Sequence, residues 1–214
     1  MNPLLPHPVL LVVSAPSGAG KTTLCDRLRD WARGALRYSV SCTTRPPRPG
    51  ERDGVHYRFV DETAFRDLAD RGAFLESARV HGHAYGTPSE AVEESLRAGI
   101  GILMDIDVQG AAQVRAALAR RPASDPVRQA FADVFIRPPS LAELRRRLEA
   151  RAQDAADVVE RRLAQAQAEM ARAGEYRYGL VNDDLDTATE ALRSILVAES
   201  HRRRAGERAV SSDQ

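Results

Sequence analysis

Residues 14–23 read SAPSGAGKTT, and of the 31 lysine and arginine residues in the chain only Lys21 is lysine. A compact ammonium serves where a broad planar guanidinium does not fit. Gly18 and Gly20 let the backbone curl so that successive N–H groups point inward, and the start of a following helix adds its partial positive charge. Such a curl wraps an anion. Lys21 then reaches between the β- and γ-phosphates of a nucleotide, and the Thr22 hydroxyl suits Mg²⁺. The candidate ATP-binding residues are therefore Ala15, Pro16, Ser17, Gly18, Ala19, Gly20, Lys21 and Thr22. The motif usually opens with glycine where this chain has Ala15.

A second set lies in SVSCTTRPPRPGERDGVHY and FLESARVHGHAYGTP. Arg45 and Arg48, with Tyr57 and Tyr85, make a cradle for a second phosphate, since arginine grips phosphate oxygens in fork geometry. Ser41, Glu76 and Thr87 add hydroxyls and a carboxylate. Glu76 also reads as a solvated strand residue, and Thr87 with Pro88 and Glu90 as a helix cap. Asp105 and Asp107, in LMDIDVQG, fall at the carboxyl end of a buried strand, where open α/β sheets take their ligands. Helix-entry capping is the plainer use of both. His81 and His83 have no third ligand nearby and read as structural.

The elements that must position these residues follow from periodicity. Val9–Val13 is wholly apolar, the pattern of a strand buried on both faces, and a helix follows over 21–32. Apolar runs at 100–106, 134–136 and 178–181 alternate with helical patterns near 107–119, 140–150, 154–173 and 186–204. This alternation predicts βαβ units in a three-layer α/β core with a parallel sheet. Ser140 with Glu143 and Thr187 with Glu190 read as capping boxes. Residues 38–86 break the pattern and predict an insert of short antiparallel strands around a helix over 61–71. Residues 120–130 read as a surface loop, and the chain after His201 as a fraying tail.

Composition excludes several classes. The 31 basic and 30 acidic residues leave a formal charge of +1, with no field for nucleic acid or an acidic membrane, and 43% hydrophobic residues suffice for a core. Arg202–Arg204 read as a solvated helix end. No segment reads as a leader or a span. Cys25 and Cys42 lack metal spacing and predict reduced thiols in a cytoplasmic protein.

The segments SAPSGAGKTT, VSCTTRPPRPGERDGVHY, FLESARVHGHAYGTP, LMDIDVQGA, IRPPSLAELRRRLEARAQD and VNDDLDTA, in this order, resemble the bacterial guanylate kinase family over nearly all of residues 8–200. The resemblance implies transfer of phosphate from ATP to GMP with Mg²⁺. It divides the chain into a phosphate-loop core (8–37, 98–136 and 175–205), a GMP-binding insert (38–90), a helical lid (137–174) and a tail (206–214). By position, Ser41, Glu76 and Thr87 meet the guanine, while Arg45, Arg48, Tyr57 and Tyr85 hold the GMP phosphate. Asp105 serves near Mg²⁺ and GMP, and Asn182 approaches the adenine. Arg147, Arg151 and Arg162 close over the triphosphate, and with Lys21 and Arg45 they make the implied catalytic set; Arg145 and Arg146 stay an ordinary helix face. Two alternatives stand beside this: a kinase of another phosphorylated acceptor such as a ribose bisphosphate, and a non-catalytic scaffold. Homo-oligomerisation is left open.

Overall fold

A computed structural model describes residues 5–151 and 156–202 of the chain. Strand β1 (Leu10–Ser14) is buried at every residue. Its period of two sends Leu11 and Val13 into one core and Leu10 and Val12 into the other, which is why the run has no polar face. It sits at the centre of a five-stranded, all-parallel sheet. Its neighbours are β7 (Gly101–Asp105) and β8 (Phe131–Arg137), and the edges are β2 (Leu36–Tyr38) and β9 (Tyr178–Val181).

Helices cover both faces. On one side, α1 (Lys21–Ala32) and α8 (Leu185–Ser200) bring Leu24, Leu28, Leu192 and Leu196 onto the sheet. On the other, α3 (Ser89–Arg97) and α4 (Val108–Ala119) bring Val92, Leu96, Val114 and Leu118. Each such side chain, once buried, contributes about 1.5–3 kcal/mol of transfer free energy. The result is the three-layer α/β core that the alternation predicts.

The second sheet has the order β4-β3-β6-β5, from β3 (Cys42–Thr43), β4 (Arg58–Phe59), β5 (Phe74–Val80) and β6 (His83–Pro88). Its helix is α2 (Glu62–Asp70), whose Phe65 stacks on Phe74 with ring centroids 4.7 Å apart. The expectation of antiparallel strands holds for two of its pairings. The third, β3 with β4, is parallel, because the irregular segment 44–57 carries the chain back to the same end of the sheet before β4 begins. Helices α6 (Leu141–Arg151) and α7 (Ala156–Met170) close their own small core through Leu144, Leu148, Val159, Leu163 and Ala166.

Several local expectations are corrected. Residues 120–130 are not all loop: α5 (Pro126–Ala130) forms there, with Asp125 accepting from the N–H groups of Val127 and Arg128. The cap of α8 is Asp184, which accepts from Thr187 N–H, so Thr187 lies inside the first turn rather than at its entrance. Ser140 does cap α6 by accepting from Glu143 N–H, but the Glu143 carboxylate turns to Arg146 and Arg147 instead of completing the box. Residue Pro88, without a side-chain cap bond, holds the cap position of α3, and Thr87 lies in β6. Arg202 is exposed, as expected of a helix end, and is also tied to Glu199 and to the Gln129 carbonyl. Arg203, Arg204 and the tail lie outside the described residues. Among the described residues no helix is long and apolar enough to cross a membrane.

Candidate active site

The loop between β1 and α1 encloses a cavity of about 320 Å³, lined by residues 15–18 and 20–23 and by Glu169 of α7. Gly18 and Gly20 take φ values of 88° and 91°, a region costly for any residue with a Cβ. Close packing reinforces the need. A Cβ on Gly18 would lie 3.0 Å from Leu148 Cδ2, and one on Gly20 would collide with Asn182 Nδ2. Asn182 is buried, and its Nδ2 donates to the Ala19 carbonyl at 2.7 Å, so this amide braces the loop directly. The first turn of α1 carries no acidic residue, which leaves its N–H groups and positive dipole end to an anion.

Lys21 leads α1 into the cavity. Its Nζ lies 2.5 Å from Asp105 Oδ1 and donates to the Ile106 carbonyl at 3.1 Å. The ammonium is thus held at the carboxyl end of β7, beside the loop. Asp105 and Asp107 separate in role here. Asp107 caps α4 by accepting from Gln109 and Gly110 N–H, and Asp105 caps nothing. Thr22 is exposed on the first turn of α1. The Thr22 hydroxyl and the Asp105 carboxylate are hard oxygen donors, and they fit an Mg²⁺ that keeps its waters and arrives with phosphate oxygens. Among the described residues no three His, Cys, Asp or Glu side chains gather as a metal cage.

A second constellation forms across β3, β5 and β6. Thr87 Oγ1 donates to Glu76 Oε1 at 2.7 Å and lies 3.3 Å from Ser41 Oγ. With the Thr87 proton committed to Glu76, Ser41 is the donor to Thr87, and a directed chain Ser41 to Thr87 to Glu76 results. Glu76 is 8% exposed and Thr87 1%, so the solvated-carboxylate and helix-cap readings both fail. Burial pushes the Glu76 carboxyl above its ordinary range, with the Thr87 hydrogen bond pulling back and Asp107 pushing up. Its other oxygen faces the start of α4, where a Cβ on Gly110 would come within 3.4 Å of Oε2. Glu76 and Lys21 therefore approach the same strand end from two sides.

Beside this chain, the Arg45 guanidinium lies over the Tyr57 ring, 5.4 Å from its centroid, and Tyr57 meets Tyr85 edge-on at 6.0 Å. Arg45 Nη2 donates to Glu51 Oε1 at 2.8 Å. The same carboxylate accepts from Arg48 N–H at 2.7 Å, and these partners hold the Glu51 carboxyl down at about 2. The Arg48 side chain is exposed. Ser41, Arg45, Tyr57, Glu76, Tyr85 and Thr87 are brought together, with Arg48 at the rim.

From α6, Arg147 donates from Nη2 to the Asn182 carbonyl at 3.0 Å and from Nε to Glu143 at 2.7 Å. It stands at the loop's edge, where Leu144 and Leu148 press on Gly18. Arg162 is exposed on α7, two turns before Glu169 and on the same face. Arg151 closes α6, and its side chain lies outside the described residues. Arg145 pairs with Glu160 across the two helices, and Arg146 with Glu143. His81 is exposed at a turn with φ 49°.

Two members of this site escaped sequence reasoning. Glu51 orients Arg45, and Glu169 lines the phosphate cavity. Glu51 meets Arg45 and the Arg48 N–H within its own irregular segment, where no periodicity marks it, and Glu169 becomes meaningful only through a loop far away in the chain. Cys25 and Cys42 are free and buried, and burial pushes the Cys25 thiol up to about 12, which leaves it inert.

Comparison with known proteins gives a consistent result. A family model described as guanylate kinase matches residues 7–199. The guanylate kinase of Alkalilimnicola ehrlichii is 50% identical over 193 residues, covering 90% of this chain and 90% of its own. That of Jannaschia sp. is 46% identical over 203 residues (95% and 89%), and that of Escherichia coli K12 46% identical over 191 (89% and 87%). The crystal structure of guanylate kinase from Anaplasma phagocytophilum superposes with a TM-score of 0.65 at 32% identity, covering 95% of this chain and 93% of that one.

Proposed function

The chain belongs to the guanylate kinase family, and from that premise we propose that it transfers the γ-phosphoryl group of Mg²⁺-bound ATP to GMP, giving ADP and GDP. The observation that carries the acceptor assignment is the buried chain from Ser41 through Thr87 to Glu76.

Guanine presents two donors, N1–H and its exocyclic amine, beside the O6 acceptor. Glu76 accepts from the first two, which frees the Thr87 and Ser41 hydroxyls to donate to O6. Adenine offers an acceptor where Glu76 needs a donor, and buried polar groups left unpaired in this way cost roughly 10⁴-fold in discrimination. Arg45, Arg48, Tyr57 and Tyr85 take the GMP phosphate, which replaces Glu51 as the partner of Arg45.

The phosphate loop and Lys21 hold the ATP phosphates, and Asn182 serves ATP through the Ala19 carbonyl that it braces. Thr22 and Asp105 would hold Mg²⁺, which would supply positive charge against the triphosphate. A GMP phosphate oxygen attacks the γ-phosphorus, a new P–O bond forms, and the bond to the β,γ-bridging oxygen breaks, leaving ADP. No general base is required, since the attacking oxygen is already anionic. The protein's work is positioning, charge neutralisation and exclusion of water. Arg147, Arg151 and Arg162 supply positive charge from the lid. A scaffold has no use for Lys21 and Thr22 set in an anion-binding curl, and a ribose bisphosphate kinase has none for a purine-reading carboxylate. The free thiols of Cys25 and Cys42 support a reducing, cytoplasmic setting. A coupled assay of ADP release with GMP, AMP, CMP and UMP tests the assignment: release with GMP alone supports it, and release indifferent to the base overturns it.

A further inference from the structure

Among the described residues, Glu169 is the one acidic side chain lining the phosphate cavity, whose other described lining residues belong to the loop and the start of α1. Local physics disfavours it twice. It lies in the last turn of α7, where the dipole end is negative, and it faces a cavity shaped for an anion. Its carboxylate accepts from Gln165 Nε2 at Oε1, 2.9 Å away, within its own helix. Burial raises its carboxyl pKa; the Gln165 hydrogen bond lowers it, Asp107 raises it and Lys21 lowers it. Lys21, itself paired with Asp105, is close enough to this carboxylate to favour its charged form in part.

When a triphosphate enters, Lys21 turns to the phosphates and Glu169 is left facing like charge. A divalent cation carried by the triphosphate cancels two of its four negative charges and removes about half of that repulsion, and a bare triphosphate has no such relief. Glu169 is also fixed to the lid, because α7 shares its core with α6, and Leu144 and Leu148 of α6 rest on Gly18. We propose that Glu169 is a specificity-determining residue that makes the cavity discriminate Mg²⁺-bound ATP from metal-free ATP, and that its place on α7 lets the lid settle only over the metal complex. This rests on the reading of the cavity as the ATP phosphate site.

The test is calorimetric titration of the whole protein with ATP, in excess EDTA and in excess Mg²⁺, for the unaltered chain, Glu169→Gln, Glu169→Ala and Glu169→Asp. Both neutral variants are expected to bind metal-free ATP at least about tenfold more tightly, the scale of one carboxylate charge against one phosphate charge across roughly 10 Å at an effective dielectric constant of about 20. Affinity for Mg²⁺-bound ATP should rise by a clearly smaller factor, because the cation cancels two of the four phosphate charges, and Glu169→Asp should keep the unaltered preference for the metal complex. An unchanged preference in whichever neutral variant folds overturns the proposal. Failure of the unaltered chain to bind ATP in either form instead overturns the phosphate-loop reading on which it rests.

Discussion

Lys21 Nζ lies 2.5 Å from Asp105 Oδ1, which joins the first residue of α1 to the last residue of β7 by an ion pair. The ammonium also donates to the Ile106 carbonyl, so it occupies a slot between the loop and the strand end. A guanidinium is broader, has fixed donor directions, and cannot fill this slot without moving one wall.

Lys21→Arg is therefore expected to lower kcat by about 10²–10³-fold although charge is kept, on the scale set by losing one well-placed transition-state contact. Steady-state kinetics at saturating GMP and ATP check this. Turnover near that of the unaltered protein would mean that charge alone matters.

Gly20→Ala combines a left-handed backbone with a collision on Asn182 Nδ2. We expect a stability loss of about 2–4 kcal/mol, composed of roughly 1–2 for the left-handed residue and the rest for overpacking. Thermal unfolding reads this as a fall of several degrees in Tm, with weakened ATP binding alongside. Asn182→Gly in the same chain should return part of the stability, since it removes the obstacle but not the backbone strain.

Glu76 carries a trade between stability and recognition. Its folded-state pKa is raised, so the native protein binds that proton more tightly than the unfolded chain does. Ionisation therefore costs native stability above the folded pKa, and the cost disappears as pH falls below the unfolded value. Glu76→Gln should leave the ligand-free protein at least as stable at neutral pH while lowering kcat/KM for GMP about 10–100-fold, the loss of a charge-assisted hydrogen bond. In the unaltered protein, kcat/KM for GMP should fall on the acid side through a group titrating above the usual carboxylate value of about 4.3, and Glu76→Gln should abolish that limb.

Arg147 bridges α6 to the Asn182 carbonyl, the residue whose amide braces Ala19. Arg147→Ala should lower kcat by about 10³-fold if it reaches the transferring group on closure. A calorimetric Kd for ATP that rises in proportion would instead mark it as a ground-state contact.

Much of this arrangement is legible in the chain, and what escapes has identifiable causes. Helix α1 begins and ends where the pattern predicts, because Gly20 and Arg33 bound a run with clear periodicity. The five-residue α5 is too short to show a period and exists through its Asp125 cap. At α8, Asp183, Asp184 and Asp186 are all suitable caps, and in the fold Asp184 takes the position. The residue types of Ser41, Glu76 and Thr87 suggest a pocket, but the direction of their hydrogen-bond chain depends on β5 pairing with β6. Glu169 meets the loop only through the return of α7, which no local pattern encodes.

The central claim is that a buried carboxylate and two hydroxyls select the acceptor by its donor and acceptor pattern. Calorimetric titration with GMP, IMP and AMP tests it most directly, since IMP lacks only the exocyclic amine and AMP inverts the pattern at N1. Binding of GMP about 10–100-fold more tightly than IMP, and roughly 10⁴-fold more tightly than AMP, is the predicted result. AMP binding as tightly as GMP would contradict it.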